Sequence, residues 1–244
     1  MPAMSPRLRQ AQPPVVLPHV WRGEALAGAG GAVLPSGHAA LDAQLPGGGW
    51  PLGAMVELLQ PQPQAPVWQL LLPGLARQLR EQAGPAVLVG PPCEPFGPSL
   101  RAQGLPGERL LWVRSEPPAA RLWAAEQALR CAEVSAVLAW LPQARSAELR
   151  RLQLAAQQQG RLLFVLRGAQ ARHEASPAPL RLWLEGWDSL EVHILKRRGP
   201  PLEAPVRLPA QAPRVAALLA AWRLREAAGE EAGHGLGRPV AARA

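Results

Sequence analysis

The residues best equipped for chemistry in this 244-residue chain stand together as Lys196-Arg197-Arg198. They end an alternating run, Leu190–Leu195 (LEVHIL), and precede a Gly199-Pro200-Pro201 turn. Alternation along a strand puts Lys196 and Arg198 on one side and Arg197 on the other. Three cations at a strand tip can contact phosphates or the carboxylates of a partner. The same charges also discourage edge-to-edge pairing of strands. Arg150 and Arg151, on a preceding helix, are candidates for the same basic face.

The second place to look for chemistry is the junction between the first long apolar run and its helix. It reads Gln60-Pro61-Gln62-Pro63-Gln64-Ala65-Pro66 and leads into Val67. A phosphate cradle needs glycines so that backbone N–H groups close on the oxygens, a Lys for the terminal phosphates, and a Ser or Thr for the metal. This junction has neither glycine nor lysine, and its prolines lack N–H donors. Gln60, Pro61, Ala65, Pro66 and Val67 therefore form a degenerate phosphate loop. The strand that would end in a metal-holding Asp ends in Ala139-Trp140 instead.

Other catalytic groups are sparse. The chain has one lysine, two aspartates (Asp42 and Asp188), two cysteines (Cys93 and Cys131) and five scattered histidines. Two cysteines make neither a disulfide framework nor a thiolate zinc site. No Ser has a placed His and acid. The expectation is no catalytic residue, no cofactor and no metal, hence not an enzyme. Of the nine Trp, Trp112, Trp123 and Trp140 fall in apolar runs or helices and read as core, while Trp50, Trp68, Trp187 and Trp222 read as freer partner-facing residues.

The elements that must position these groups follow from pattern and composition. The 48% hydrophobic content supports a core, whereas Pro 29 and Gly 23 fall short of low complexity. The net charge of +8 is uneven: residues 1–140 carry ten Arg and nine acids, residues 141–244 sixteen basic residues and nine acids. A basic half suits nucleic acid or an acidic partner protein. Residues 1–30 read as a flexible arm without an apolar signal segment, and the longest uncharged stretch is broken by prolines, so no membrane span is expected. Apolar runs at Ala54–Leu59, Ala86–Val89, Arg109–Val113, Val134–Trp140 and Leu162–Leu166 alternate with helical periodicities at Val67–Leu79, Leu122–Leu129 and Leu149–Ala156. That alternation predicts an α/β fold with a mostly parallel sheet flanked by helices. Leu180–Leu184, Leu190–Leu195 and Val206–Leu208 follow without helices and predict an antiparallel strand extension. A last helix is expected within residues 210–228 and a disordered tail over 229–244.

The segment LPSGHAALDAQLPGGGWPLGAMVELL resembles the entry to a RecA-type core, with Leu41-Asp42, Gly48-Gly49, Pro51, Gly53 and Glu57 in the expected order. LLWVR (110–114), LWAAEQALR (122–130), VLAWLP (137–142), ELRRLQLAA (148–156) and ILKRRGPP (194–201) resemble the ImuA family, RecA-like accessory proteins of SOS mutagenesis sometimes described as SulA-like. The resemblance covers residues 33–209 and implies a RecA-like core over 31–209. It implies a non-catalytic adaptor in error-prone translesion synthesis after DNA damage, cytoplasmic and nucleoid-associated. The implied partners are an inactive Y-family polymerase homologue, an error-prone C-family DNA polymerase and RecA, with single-stranded DNA as a further contact. Lys196 and Arg198 resemble the Lys-x-Arg finger that RecA-type ring proteins insert into a neighbour's ATP site. Two alternatives stand beside this reading: a SulA-like cell-division inhibitor, and a direct single-stranded DNA-binding protein.

Overall fold

Residues 31–61, 67–94, 97–186 and 189–209 are described by the structure, a computed structural model. Ala65, Pro66, Trp187 and Trp222 lie outside them, as do the expected arm (1–30), last helix (210–228) and tail (229–244).

The uninterrupted apolar runs become strands, those inside the sheet buried on both faces and Leu110–Val113 at its edge partly exposed, and the amphipathic segments become the helices that cover them. In chain order the elements are β1 (Val33–Leu34), α1 (Ala39–Asp42), β2 (Trp50–Pro51), β3 (Met55–Gln60), α2 (Val67–Glu81), β4 (Ala86–Val89), α3 (Gly97–Ala102) and β5 (Leu110–Val113). Then come α4 (Pro118–Arg130), β6 (Ala136–Trp140), α5 (Ser146–Gln159), β7 (Leu162–Gly168), β8 (Leu180–Glu185), β9 (Ser189–Lys196) and β10 (Val206–Pro209). The main sheet has eight strands in the order β10-β9-β8-β3-β7-β6-β4-β5. From β5 through β8 every pairing is parallel; β9 and β10 add on antiparallel. The protein is thus mixed α/β, with a large, mostly parallel sheet between helices and an antiparallel extension at one end.

Because side chains alternate across a strand, the sheet carries two apolar layers. Val56, Leu58, Leu88, Leu138 and Phe164 pack with the α2 residues Leu70, Leu71 and Leu75. Val87, Val137, Ala139, Leu163 and Val165 pack with Leu122 and Leu129 of α4 and Leu149 and Leu152 of α5. Each fully buried Leu, Val or Phe contributes about 1.5–3 kcal/mol, so the layers dominate the energetics.

Helix α2 runs through Pro73, which lacks the N–H that would bond the Gln69 carbonyl. His38 Nε2 takes its place, 3.2 Å from that carbonyl oxygen, so the segment before α1 fills the gap that the proline opens. The next residue, Gly74, lets Trp50 lie against the helix: a Cβ there would sit 3.1 Å from the indole nitrogen. Trp50 is consequently fully buried, edge-on to Phe164 with ring centroids 5.3 Å apart. This corrects the expectation of a partner-facing Trp50, whose glycine neighbours made it look like a loop residue. Trp123 is corrected in the other direction. It is 64% exposed, because the buried stripe of α4 runs through Leu122, Ala125 and Leu129 and leaves it off that stripe. No helix among the described residues is long and apolar enough to cross a membrane.

Candidate functional site

The carboxyl ends of parallel strands are where open α/β sheets take ligands. Here that edge carries two neighbouring cavities. One, of about 520 Å³, is lined by Gln60 at the end of β3 and Pro61 after it, Gly90 after β4, Trp140 at the end of β6 and Pro142 beyond it, and Arg167 and Gly168 of β7. The other, of about 730 Å³, lies beside it between the N-terminal turns of α4 and α5, and the two share Arg121 and Pro142. Of the expected degenerate phosphate loop, Gln60 ends β3, Pro61 follows it and Val67 opens α2. Arg121 is held by the Ser115 carbonyl, 2.5 Å from its Nε.

Behind this edge, inside the sheet, lies a charged network that composition did not reveal. Glu57, in the middle of β3, is fully buried. Arg167 Nη1 donates to its Oε1 (3.0 Å) and Arg181 Nε to its Oε2 (2.6 Å). Arg167 Nη2 also reaches the Ala144 carbonyl (2.9 Å) and Glu174 (2.7 Å), and Arg181 Nη2 reaches the Ala171 carbonyl (2.7 Å). The carboxylate is therefore bonded on both oxygens and joins β3, β7 and β8. Such a cluster is paired because an unpaired buried charge is expensive. Part of the signal was present in sequence: Glu57 interrupts the apolar run Ala54–Leu59 and Arg167 follows directly on Leu162–Leu166, while Arg181 stands as a polar position of an alternating strand.

The basic strand tip lies at the opposite edge. Lys196 pairs in register with Arg181, near the beginning of β8. Lys196 Nζ donates to the Ser176 carbonyl (3.1 Å), while Arg197 donates to the carbonyls of Pro200 (2.8 Å) and Gln44 (2.5 Å). Arg198 lines a cavity of about 580 Å³ with Leu52, Gln153 and Gln157. Lys196, Arg197 and Arg198 thus share one sheet edge, away from Gln60 and Pro61. Arg150 and Arg151 lie in the first half of α5, and Arg151 is ion-paired with Glu126 of α4, which also holds Arg130 at 2.8 Å.

Large apolar side chains are also left in water among the described residues. Leu111 on the edge strand β5, Trp123 on α4 and Leu154 on α5 are each at least half exposed. At the far end of the sheet, the Trp183 indole donates to Glu185 Oε2 (2.9 Å). That bond holds the Glu185 carboxyl below the usual carboxylate range; burial opposes it, and His193 alongside assists.

Comparison with known proteins bears on the parallel half of this sheet. The family model described as cell division inhibitor SulA matches residues 53–163, from the turn before β3 into β7. The chain is similar to a cell division inhibitor SulA of Edwardsiella piscicida, 38% identical over 116 residues, which is 48% of this chain and 68% of that protein. It is also similar to proteins of the same description from Yersinia pestis (strain Pestoides F) and Yersinia pseudotuberculosis serotype O:1b. Each is 33% identical over 115 residues, 47% of this chain and 68% of the relative.

These matches overturn the ImuA reading. With it go the translesion-synthesis role, the pseudo-ATPase description, and the expected partners: the Y-family homologue, the C-family polymerase, RecA and single-stranded DNA. The reason is visible in the fold. LLWVR covers β5, VLAWLP covers β6, and LWAAEQALR and ELRRLQLAA lie on α4 and α5. These segments are strands and covering helices of one sheet, and they lie inside the SulA match. They report a fold that different activities share. ILKRRGPP, which carried the finger comparison, lies beyond the matched residues.

Proposed function

Because the chain belongs to the cell division inhibitor SulA family, we propose that it restrains cell division by binding a component of the division machinery, without catalysing a reaction. The observation that carries this reading is the 38% identity across 68% of the Edwardsiella relative. We take the target to be the tubulin-like division protein.

The strand order, with β3 between β7 and β8 and the antiparallel strands beyond, supports a RecA-like fold reused as a binding scaffold. Gln60-Pro61, standing where a phosphate loop would begin without glycine or lysine, supports a non-catalytic role. Trp123 and Leu154 supply contact residues. Both are exposed, both lie within the matched segment, and both sit on adjacent helices joined by the Glu126–Arg151 ion pair. An exposed Trp is the kind of residue that dominates protein–protein contacts.

The test is to titrate the purified chain into the tubulin-like division protein with GTP and follow polymer by sedimentation. Loss of polymer as the chain approaches stoichiometric amounts is expected. Polymer that persists at large excess, together with normal division in cells producing the chain, would refute the reading.

A further inference from the structure

Antiparallel pairing of β8 with β9 does what chain spacing hid: it brings a histidine and two carboxylates to one point. Glu185 stands directly opposite Glu191, and His193 opposite Trp183. All three side chains are partly exposed, and one ligand atom from each lies within 4.8 Å of the others. We propose that Glu185, Glu191 and His193 form a binding site for a divalent first-row metal ion, zinc foremost.

Two like charges directly opposite on neighbouring strands are destabilising; Arg207 offsets Glu191 and His193 lies against Glu185, and an ion shared by the three ligands would offset both. Each carboxylate is also held from behind by one oxygen. Trp183 Nε1 donates to Glu185 Oε2 at 2.9 Å, and Arg207 Nε donates to Glu191 Oε1 at 3.0 Å. The remaining oxygens are Glu185 Oε1, which faces His193 Nε2 at 2.8 Å, and Glu191 Oε2. Outer donors that fix the orientation of a ligating carboxylate are a regular part of metal sites. His193 supplies the third observation. Its Nε2 is shielded from water and lies 2.8 Å from Glu185 Oε1. A metal ion entering the site would replace this contact, taking the Nε2 lone pair and the Glu185 oxygen as two of its ligands.

The donor set suits the chemistry. One imidazole and two carboxylates are ligands that zinc accepts, at about 2.0–2.2 Å. A tetrahedral site at those bond lengths separates its ligands by about 3.4 Å. The Nε2–Oε1 pair at 2.8 Å must open by roughly half an ångström, and the Glu191 oxygen must reach the same spacing, which rotation of the partly exposed carboxylates supplies. Three protein ligands leave a fourth position facing solvent, for water or for a side chain of a partner. The ion would clamp β8 to β9 in the antiparallel part of the sheet, outside the residues that match the SulA family. The site stands independently of the division-inhibition reading.

The experiment is calorimetric titration of zinc into the full chain after chelator treatment, repeated with His193→Ala, Glu191→Gln and Trp183→Phe. One zinc per chain is expected, weakened by well over tenfold in His193→Ala and Glu191→Gln. Trp183→Phe keeps all three ligands and should weaken binding by about tenfold through the loosened Glu185. Glu191→Gln is nearly isosteric and serves should His193→Ala fail to fold. Cobalt substitution adds a spectrum: visible ligand-field bands without a thiolate charge-transfer band are expected. No uptake at millimolar zinc, uptake unchanged in the ligand variants, or a thiolate band assigning the metal to Cys93 or Cys131 would each overturn the proposal.

Discussion

Replacing Glu57 with Ala should cost more stability than any other single polar change in the described part of the protein. Glu57 is fully buried, and its two oxygens receive Arg167 at 3.0 Å and Arg181 at 2.6 Å, with both guanidinium side chains at most a tenth exposed. Truncation leaves two like charges facing each other inside the sheet, with only the half-exposed Glu174 to compensate one of them. Breaking a buried ion pair by removing one partner costs about 3–5 kcal/mol. Natural domains hold about 5–15 kcal/mol in total, so the loss is a large part of the whole. In a domain of this size it lowers Tm by roughly 10 °C. Urea unfolding followed by Trp fluorescence measures it, provided the slope with denaturant stays constant. A second variant separates charge from cavity: adding Arg181→Met to Glu57→Ala should restore part of the loss, because the change removes one stranded cation. A Glu57→Ala cost under about 1 kcal/mol at unchanged slope, or a double variant simply additive, would refute the reasoning.

Further outcomes follow from the same geometry. Trp123→Ala should leave stability within about 0.5 kcal/mol yet abolish loss of polymer in the sedimentation assay; retained inhibition would place the contact surface elsewhere. In Gly74→Ala the helix gains about 1 kcal/mol in propensity, but the new Cβ lands 3.1 Å from Trp50 Nε1. Overpacking costs about 1–3 kcal/mol, so calorimetry should show a net loss, and a higher Tm would contradict the packing. His38→Ala should cost about 1 kcal/mol through the Gln69 carbonyl, and much less in a Pro73→Ala background, where the helix supplies its own N–H; equal costs in both backgrounds would refute the bond. Arg197→Ala, which loses contacts to Gln44 and Pro200, should lower Tm more than Lys196→Ala, which loses a single exposed bond.

The strands were readable because burial on both faces leaves no room for polar alternation. Ala86–Val89 is a strand with those bounds, and Val134–Trp140 overshoots β6 by only two residues. The antiparallel end was readable because Leu180–Leu184 and Leu190–Leu195 do alternate. Side-chain destinations were harder. Periodicity already set Trp123 off the Leu122–Leu129 stripe, but residue type pulled it toward the core. Trp50 needed knowledge of a slot made by Gly74 and Phe164, which come from distant segments. The Glu57 network and the Glu185–Glu191–His193 cluster depend on register, which one sequence does not specify. The family was misjudged for a related reason. The motifs compared were the sheet's own buried strands and covering helices, and what differs between relatives of one fold lies on their surfaces.

The central position of β3 has a consequence for how the chain is made. Its two neighbours in the sheet, β7 and β8, arrive late: Glu57 meets Arg167 and Arg181 across 110 and 124 residues of chain. At translation rates of about 5–20 residues per second, the segment MVELL waits roughly 5–25 seconds after synthesis before either edge can be paired. During that interval it is an apolar, unpaired strand, the sort of species that aggregates or recruits chaperones. Pairings so distant in sequence also slow refolding. Amounts of active protein are therefore set by how quickly the second half of the chain emerges as much as by how stable the finished sheet is. Synonymous codon changes between residues 60 and 160 that slow the ribosome should lower soluble yield without altering one amino acid.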